Sequence, residues 1–296
     1  MAAFIMSGPL QALAFIVLFA IVSFYLPLMG LLSNGALGLI TLRMGWKRGL
    51  SMALIAALAV GVAGFVLHRN WSGFVTTLLE WLPVIALAAL LANTASWPKV
   101  FYSILATGCL AVIAFHLSVD DPETVWLQAI NSLTNIEQLE QQFNNVDIQS
   151  LLRGAAPYLT GFLASGLGIA LVLSLMLARH WQAKLYNPGG FQAELKELRL
   201  NKKVGIALSA VILAAIFNPT PLLVGLIVVG LAVFLFQGVA VIHGSITLLN
   251  LPWQWLFGLY IPLLLLPLQM GLLLAVLGMV DSIADFRTYL SRRPQR

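Results

Sequence analysis

"PLLVGLIVVGLAVFLFQGVAVIH", Pro221 to His243, is the stretch that decides the fold class of this protein. It contains no Asp, Glu, Lys or Arg. An α-helix rises ~1.5 Å per residue, and about 20 apolar residues therefore cross the hydrocarbon layer of a membrane. Because the run is continuously apolar and long enough, it predicts a transmembrane helix.

The remainder of the chain has the same character. Of its 296 residues, 60% are hydrophobic and 9% are charged, and the mean hydropathy is +0.94. A soluble domain carries roughly 25% charged residues. We therefore expect an all-α, polytopic transmembrane helix bundle that forms a single membrane domain over residues 1–296. The predicted spans are 8–25, 26–42, 50–67, 74–93, 99–117, 155–178, 204–217, 221–243 and the tract 253–282, which is either one kinked helix or two short ones.

The distribution of basic residues predicts the orientation. Under an alternating topology, fourteen of the sixteen Lys and Arg residues fall on one side of the membrane. By the positive-inside rule both termini are cytoplasmic, which requires an even number of crossings, eight or ten. The net charge of +5 then reflects orientation, and we expect the lipid bilayer, and no nucleic acid, as a partner.

Two polar loops interrupt the apolar chain. The acidic loop 118–153 is predicted to be extracytoplasmic and to form an amphipathic helix that begins at Asp121-Pro122-Glu123. Such a helix is either a lid over a binding cavity or a surface connection. Its apolar positions are Val125, Leu127, Ile130, Leu133, Ile136, Leu139 and Phe143.

The basic loop 179–203 is predicted to be cytoplasmic. It contains a turn at Pro188-Gly189-Gly190, after which Phe191, Leu195 and Leu198 fall on one stripe of a short amphipathic helix. This helix either rests on the membrane or docks a membrane or cytoplasmic protein partner.

Polar groups inside apolar spans are costly, so each needs a packing or functional reason. Glu80 lies well inside a span, beside Trp81, and is either an interfacial residue or a contact for a ligand or cation. Asn34 is flanked by Gly30 and Gly38, which favours helix packing, with a cavity-lining role as the alternative. We select Glu80 and Asn34 as the first two residues of a predicted substrate-binding site.

Two further residues of that predicted site lie near the cytoplasmic end of a later span. Gln237 is a polar residue in the opening stretch, and His243 is either a proton carrier or an interfacial helix cap. Asp281 and Asp285, one helical turn apart and close to Arg287, are expected to form a solvated charge cluster. Small residues at a spacing of four are expected to mediate helix packing: Ala53, Ala57 and Gly61, and Gly166 and Ala170.

Motifs of catalysis are absent from the sequence. There is no GxxxxGK[ST], no HExxH and no GxSxG, the four histidines are scattered, and Cys109 is the single cysteine. We therefore expect no enzymatic activity, no metal ligands and no cofactor.

Three segments carry a resemblance to a known family: "WQAKLYNPGGF", "FLFQGVAVIH" and "MVDSIADFR". Together they resemble the YybS-like bacterial membrane proteins that contain domain of unknown function 2232. The resemblance implies a distant architectural likeness to the S components of energy-coupling-factor transporters and to the envelope protein MreD. It implies a solute-binding or transport subunit that takes a small-molecule solute. The alternative is a non-enzymatic membrane scaffold for cell-envelope or division proteins.

Overall fold

The computed structural model describes residues 1–291 except 70, 135, 137–139, 141 and 143–145. The described residues form α-helices joined by turns and contain no strand. By its internal contacts the chain forms two compact units, Met1–Ser103 with Ile169–Leu198, and Ile104–Gly168 with Arg199–Arg296. The all-α helical bundle is confirmed, and the assignment of residues 1–296 to a single membrane domain stays a prediction.

The helices follow the predicted apolar runs closely. In chain order they are α1 Ala2–Met6, α2 Pro9–Ser23, α3 Gly30–Met44, α4 Trp46–His68, α5 Ser72–Thr94, α6 Trp97–Ser118, α7 Pro122–Leu133, α8 Ile148–Ala155, α9 Leu159–Tyr186, α10 Gly190–Glu197, α11 Lys202–Phe217, α12 Pro221–Leu248, α13 Phe257–Leu265, α14 Pro267–Ala284 and α15 Phe286–Ser291.

Within the described residues, six helical segments are long and apolar enough to cross a membrane, and a seventh qualifies if the bent pair α10–α11 is one span. The protein is therefore a multi-pass membrane protein. Eight or ten crossings would also require shorter apolar helices, such as Pro9–Ser23, to span the membrane. Both totals therefore stay predictions, as does the cytoplasmic placement of both termini.

Proline marks the breaks between helices. A 3-10 turn at Pro27–Met29 separates α2 from α3, and Thr220 caps α12 by accepting a hydrogen bond from the backbone N–H of Leu223. The tract 253–282 is divided, because α13 ends at Leu265 and α14 begins at Pro267. Proline has no N–H to continue the first of these helices, and it disfavours helical geometry in the residue before it.

Helix α3 is the core of the first unit. Every residue from Ser33 to Leu42 is buried. Small residues allow this: a Cβ atom added at Gly38 would lie 2.9 Å from the Cβ of Ala178, and one at Gly35 would lie 2.9 Å from Leu177. Such close approach is the usual role of glycine between membrane helices.

The expectation about small residues holds at some positions and fails at one. Ala53 and Ala57 are fully buried, and a Cβ at Gly61 would lie 2.7 Å from the Cβ of Phe74, so α4 packs through this row. Gly166 is exposed, with no described atom near its missing side chain. The prediction that Gly166 mediates packing is therefore wrong for the described chain, because no neighbouring helix approaches its face.

The two polar loops contain the predicted helices. Helix α7 begins where expected, with the Asp121 carboxylate accepting from the Thr124 backbone N–H and Pro122 in the first turn. It ends at Leu133, since Thr134 is extended. The predicted positions Leu139 and Phe143 lie outside the described residues. Trp126 fixes α7 by donating from its Nε1 to the Thr160 hydroxyl over 2.9 Å.

Candidate functional site

The structure brings together two of the predicted substrate-binding residues, Asn34 and Glu80. Asn34 lies on α3 and Glu80 on α5, and the Asn34 Nδ2 donates a hydrogen bond of 2.8 Å to the Glu80 Oε1. Glu80 is the ninth residue of α5, about 12 Å along the axis from its first residue. The pair therefore lies well within the span, in the first unit.

The two partners differ in their surroundings. Asn34 is 3% exposed, whereas the Glu80 side chain is exposed. Beside them Gly30 leaves the carboxylate room, since a Cβ there would lie 3.4 Å from the Glu80 Oε1. Trp81, the neighbour of Glu80, is fully buried and faces the core of the unit.

One acceptor of this pair has no partner among the described residues. The Asn34 Oδ1 is buried, and no described group donates to it. Nor does any described cationic side chain form an ion pair with Glu80. A buried polar atom without a partner costs about 1–3 kcal/mol, and in native proteins it calls for an explanation. The pair thus presents a carboxylate and an amide oxygen, both of which accept hydrogen bonds.

Gln237 lies on α12 in the second unit, where it is fully buried in a polar network. Its Oε1 accepts from the Leu200 backbone N–H over 2.9 Å, and its Nε2 donates to the Asp281 Oδ2 over 3.0 Å. Arg287 donates to the same Asp281 oxygen over 3.0 Å. Gln237 therefore ties the segment before α11 to α12 and α14.

This network overturns one prediction. Asp281 is 0% exposed and the Arg287 side chain is 13% exposed, so the expected solvated cluster is wrong for both residues. Asp285 does lie at the surface, where it forms an ion pair of 2.9 Å with Arg199. Asp281 is buried because Arg287 and Gln237 compensate its charge, and this compensation depends on tertiary contacts.

His243 is half-buried in α12, and its tautomer follows from its partners. Its Nδ1 lies 3.0 Å from the Val239 carbonyl oxygen, which can only accept, so Nδ1 carries the proton. Its Nε2 lies 3.2 Å from the Tyr260 hydroxyl and accepts from it when the ring is neutral. Both open interpretations, proton carrier and helix cap, are compatible with this geometry.

The predicted docking stripe on α10 is turned toward its own unit. Leu198 is 3% exposed and Leu195 is half-buried. The Phe191 ring contacts the rings of Trp97 and His180, at centroid distances of 6.3 Å and 6.0 Å. Leu198 also lies one residue beyond the end of the helix. The prediction that these residues dock a partner stays a prediction, and the stripe offers little exposed apolar surface for it.

A polar cluster that sequence reasoning missed holds α10 in place. Glu194 accepts from the Trp97 Nε1 over 3.0 Å and from the Nε of Arg179 over 3.0 Å. Burial alone would raise the pKa of Glu194, but the hydrogen bonds from Arg179 and Trp97 and the Arg179 charge lower it overall. One weak signal for this cluster was present in the sequence, a Glu beside an apolar stripe.

The Glu194 cluster predicts a pH-dependent stability. Because its pKa is lowered on folding, Glu194 contributes stability that is complete at neutral pH and is lost as pH falls through its folded value. We expect Glu194→Gln to lower the free energy of unfolding by roughly 1–2 kcal/mol at pH 7, and by less near pH 4. Thermal unfolding at both pH values measures this. Glu197→Gln, exposed on the same helix, is the control, and an equal loss at both pH values would contradict the assignment.

A separate cavity of about 630 Å³ lies in the acidic loop. Its lining, Asn131 to Thr134 with Ile136, Glu140 and Gln149, belongs to the second unit, whereas Asn34 and Glu80 belong to the first. The cavity is open, and its described lining holds a single ionisable residue, Glu140, so it offers less specific chemistry than the Asn34–Glu80 pair. Among the described residues no group of three or more His, Cys, Asp or Glu side chains is placed to hold a metal ion.

The chain was compared with known protein families, curated proteins and solved structures. No protein family model, curated protein or solved structure matches this chain.

Proposed function

We propose that this multi-pass membrane protein is a solute-binding or transport subunit of the bacterial inner membrane, and that the Asn34–Glu80 pair contacts its solute. The observation that carries the proposal is the buried Asn34 Oδ1 without a donor beside the Glu80 carboxylate. Polar and ionisable groups at this depth are expensive and typically mark solute or ion pathways. The resemblance of three sequence segments to the YybS-like family, which implies a likeness to S components, agrees with this proposal.

The chemistry of the pair selects the class of solute. The Asn34 Oδ1 has no donor among the described residues, and the printed donor to the Glu80 carboxylate is the Asn34 amide. These oxygens favour a ligand that brings donors or positive charge, such as a protonated amine or a monovalent cation. A carboxylate ligand would meet the Glu80 charge and is disfavoured. We propose binding without catalysis, since the sequence carries none of the motifs that would supply it.

The scaffold alternative draws less support. It relied on the segment 179–203, whose stripe of Phe191, Leu195 and Leu198 packs against residues of its own unit. A pull-down from native membranes separates the two proposals: ATPase subunits support a transport role, and cell-wall or division proteins support a scaffold.

Glu80→Gln tests the binding role directly. The substitution removes the charge and keeps an oxygen that can accept from Asn34, so the fold should persist. A ligand at ~100 times its Kd stabilises a one-site protein by about 2.7 kcal/mol. A thermal-shift screen of amines and monovalent cations on the purified protein should find a solute that raises the Tm. We expect the apparent affinity for that solute to be at least tenfold lower in Glu80→Gln.

The matched control for this experiment is Glu123→Gln, a carboxylate on α7 outside the pair. It should keep the wild-type shift. A solute that stabilises wild type and Glu80→Gln equally would remove Glu80 from the site.

A further inference from the structure

A narrow crevice opens at one end of the first unit, where four helices meet. It is lined by the end of α1, the start of α2, the end of α3 and the start of α4, and its volume is about 50 Å³. The lining residues are Ile5, Met6, Gly8, Pro9, Ala12, Ile40, Met44, Arg48 and Met52. Apart from Arg48 the lining side chains are apolar.

The crevice is apolar at its inner end and cationic at its mouth. Arg48 and Met52 share a face of α4, one turn apart, and Ile40 and Met44 do the same on α3. Met52 and Ile40 are buried, whereas Met44 and Arg48 are exposed. One turn of helix, about 5 Å, therefore separates a charged entrance from an apolar interior. A ligand that matches this gradient is an amphiphile.

The charge at the entrance is positive, and no ion pair with a described carboxylate neutralises it. Arg43 and Lys47 lie near Arg48 in sequence, and none of the three forms an ion pair with a described carboxylate. Arg43 stacks over the Tyr186 ring at 4.3 Å, and Lys47 lies over the exposed Trp46. Exposed Trp and Tyr beside basic residues are typical of the headgroup region of a membrane.

The crevice is too small for an ordinary solute. A volume of about 50 Å³ is far below the ~300 Å³ of the smallest usual solute pockets. Water is disfavoured because the interior offers almost no polar partner. An acyl chain can insert a short segment and leave the remainder in the bilayer, and flexible Met side chains such as Met44 and Met52 adapt to such a chain.

We propose that this crevice binds an anionic phospholipid of the cytoplasmic leaflet, with an acyl segment between Ile40 and Met52 and the phosphate on Arg48. The placement uses the predicted orientation, in which the α3–α4 end faces the cytoplasm. The site is distinct in its residues from the Asn34–Glu80 pair, and the two proposals fail separately.

Lipid binding is measured on the full-length protein in detergent by native mass spectrometry. The ligands are phosphatidylglycerol, phosphatidylcholine with the same chains, and inorganic phosphate. One cationic side chain near an anionic surface contributes about 1 kcal/mol, close to a fivefold change in affinity. We expect Arg48→Gln to weaken phosphatidylglycerol binding about fivefold and to leave phosphatidylcholine binding unchanged. Lys203→Gln, which removes a cation at the start of α11, should change neither.

A second measurement tests the apolar end without altering the protein. Phosphatidylglycerol with a photoreactive group on its acyl chain should label peptides that contain residues 5–12 and 40–52. Labelling elsewhere, equal binding of both lipids to wild type, or binding of inorganic phosphate with the affinity of phosphatidylglycerol would each overturn the proposal.

Discussion

Gly238→Ala is expected to destabilise the second unit by roughly 3 kcal/mol, although it adds one methyl group. Helices α12 and α14 touch through their backbones at this point. A Cβ at Gly238 would overlap the Leu274 carbonyl oxygen, and one at Gly278 would lie 2.6 Å from the Gly238 backbone nitrogen. No rotamer change relieves such an overlap, because the obstructing atoms belong to the main chain. The helices must separate and lose contacts along their whole interface.

The matched control is the same substitution at an open helical glycine. Gly166→Ala in α9 adds a methyl group that meets no described atom, and alanine is the better helix former by roughly 1 kcal/mol. We expect thermal unfolding in detergent to show a lower Tm for Gly238→Ala and an equal or higher Tm for Gly166→Ala. Equal Tm values for wild type and Gly238→Ala would show that α12 and α14 do not pack this closely in the membrane.

The sequence predicted the helices well because membrane insertion imposes a simple rule. Each span must be apolar over about 20 residues, and proline or polar residues mark its ends. The breaks before Pro221 and Pro267 follow this rule. Helix α3 shows the limit of the rule. It was predicted as the span 26–42, yet its 15 residues include Ser33, Asn34, Thr41 and Arg43, and Ser33 to Leu42 are buried as the core of the first unit. Composition alone does not separate a lipid-facing span from a protein core.

The polar contacts were only partly predictable. Glu80, Asn34 and Gln237 could be selected individually, since a polar residue in an apolar run stands out. Their partners could not, because Asn34 and Glu80 are 46 positions apart and meet only through the packing of α3 on α5. Asp281 was misjudged for the same reason: its nearness to Arg287 in sequence suggested a surface cluster, while its contact with Gln237 buries it.

The second prediction of a large effect concerns the buried Asp281 and the loss of its partner Arg287. Its Oδ2 accepts from both Gln237 and Arg287, while its Oδ1 has no partner in the described part of the chain. Arg287→Met leaves this buried carboxylate with a single amide donor. Removing one partner of a buried ion pair typically costs about 3–5 kcal/mol, because the other charge stays desolvated without compensation. We expect a loss of about 3 kcal/mol in the free energy of unfolding, measured by denaturant titration of the purified protein.

Two comparisons separate charge from packing in this prediction. Arg199→Met removes an arginine from the ion pair with Asp285, in which the side chains are 40% and 36% exposed. Because this pair is solvated, the substitution should lower the free energy of unfolding by less than about 1 kcal/mol. Asp281→Asn combined with Arg287→Met removes both charges and keeps an oxygen that can accept from Gln237. If desolvated charge causes the loss, the double variant recovers most of the stability. If the double variant is as unstable as the sum of the single variants, the Arg287 side chain acts through its packing, and the carboxylate is compensated by other means.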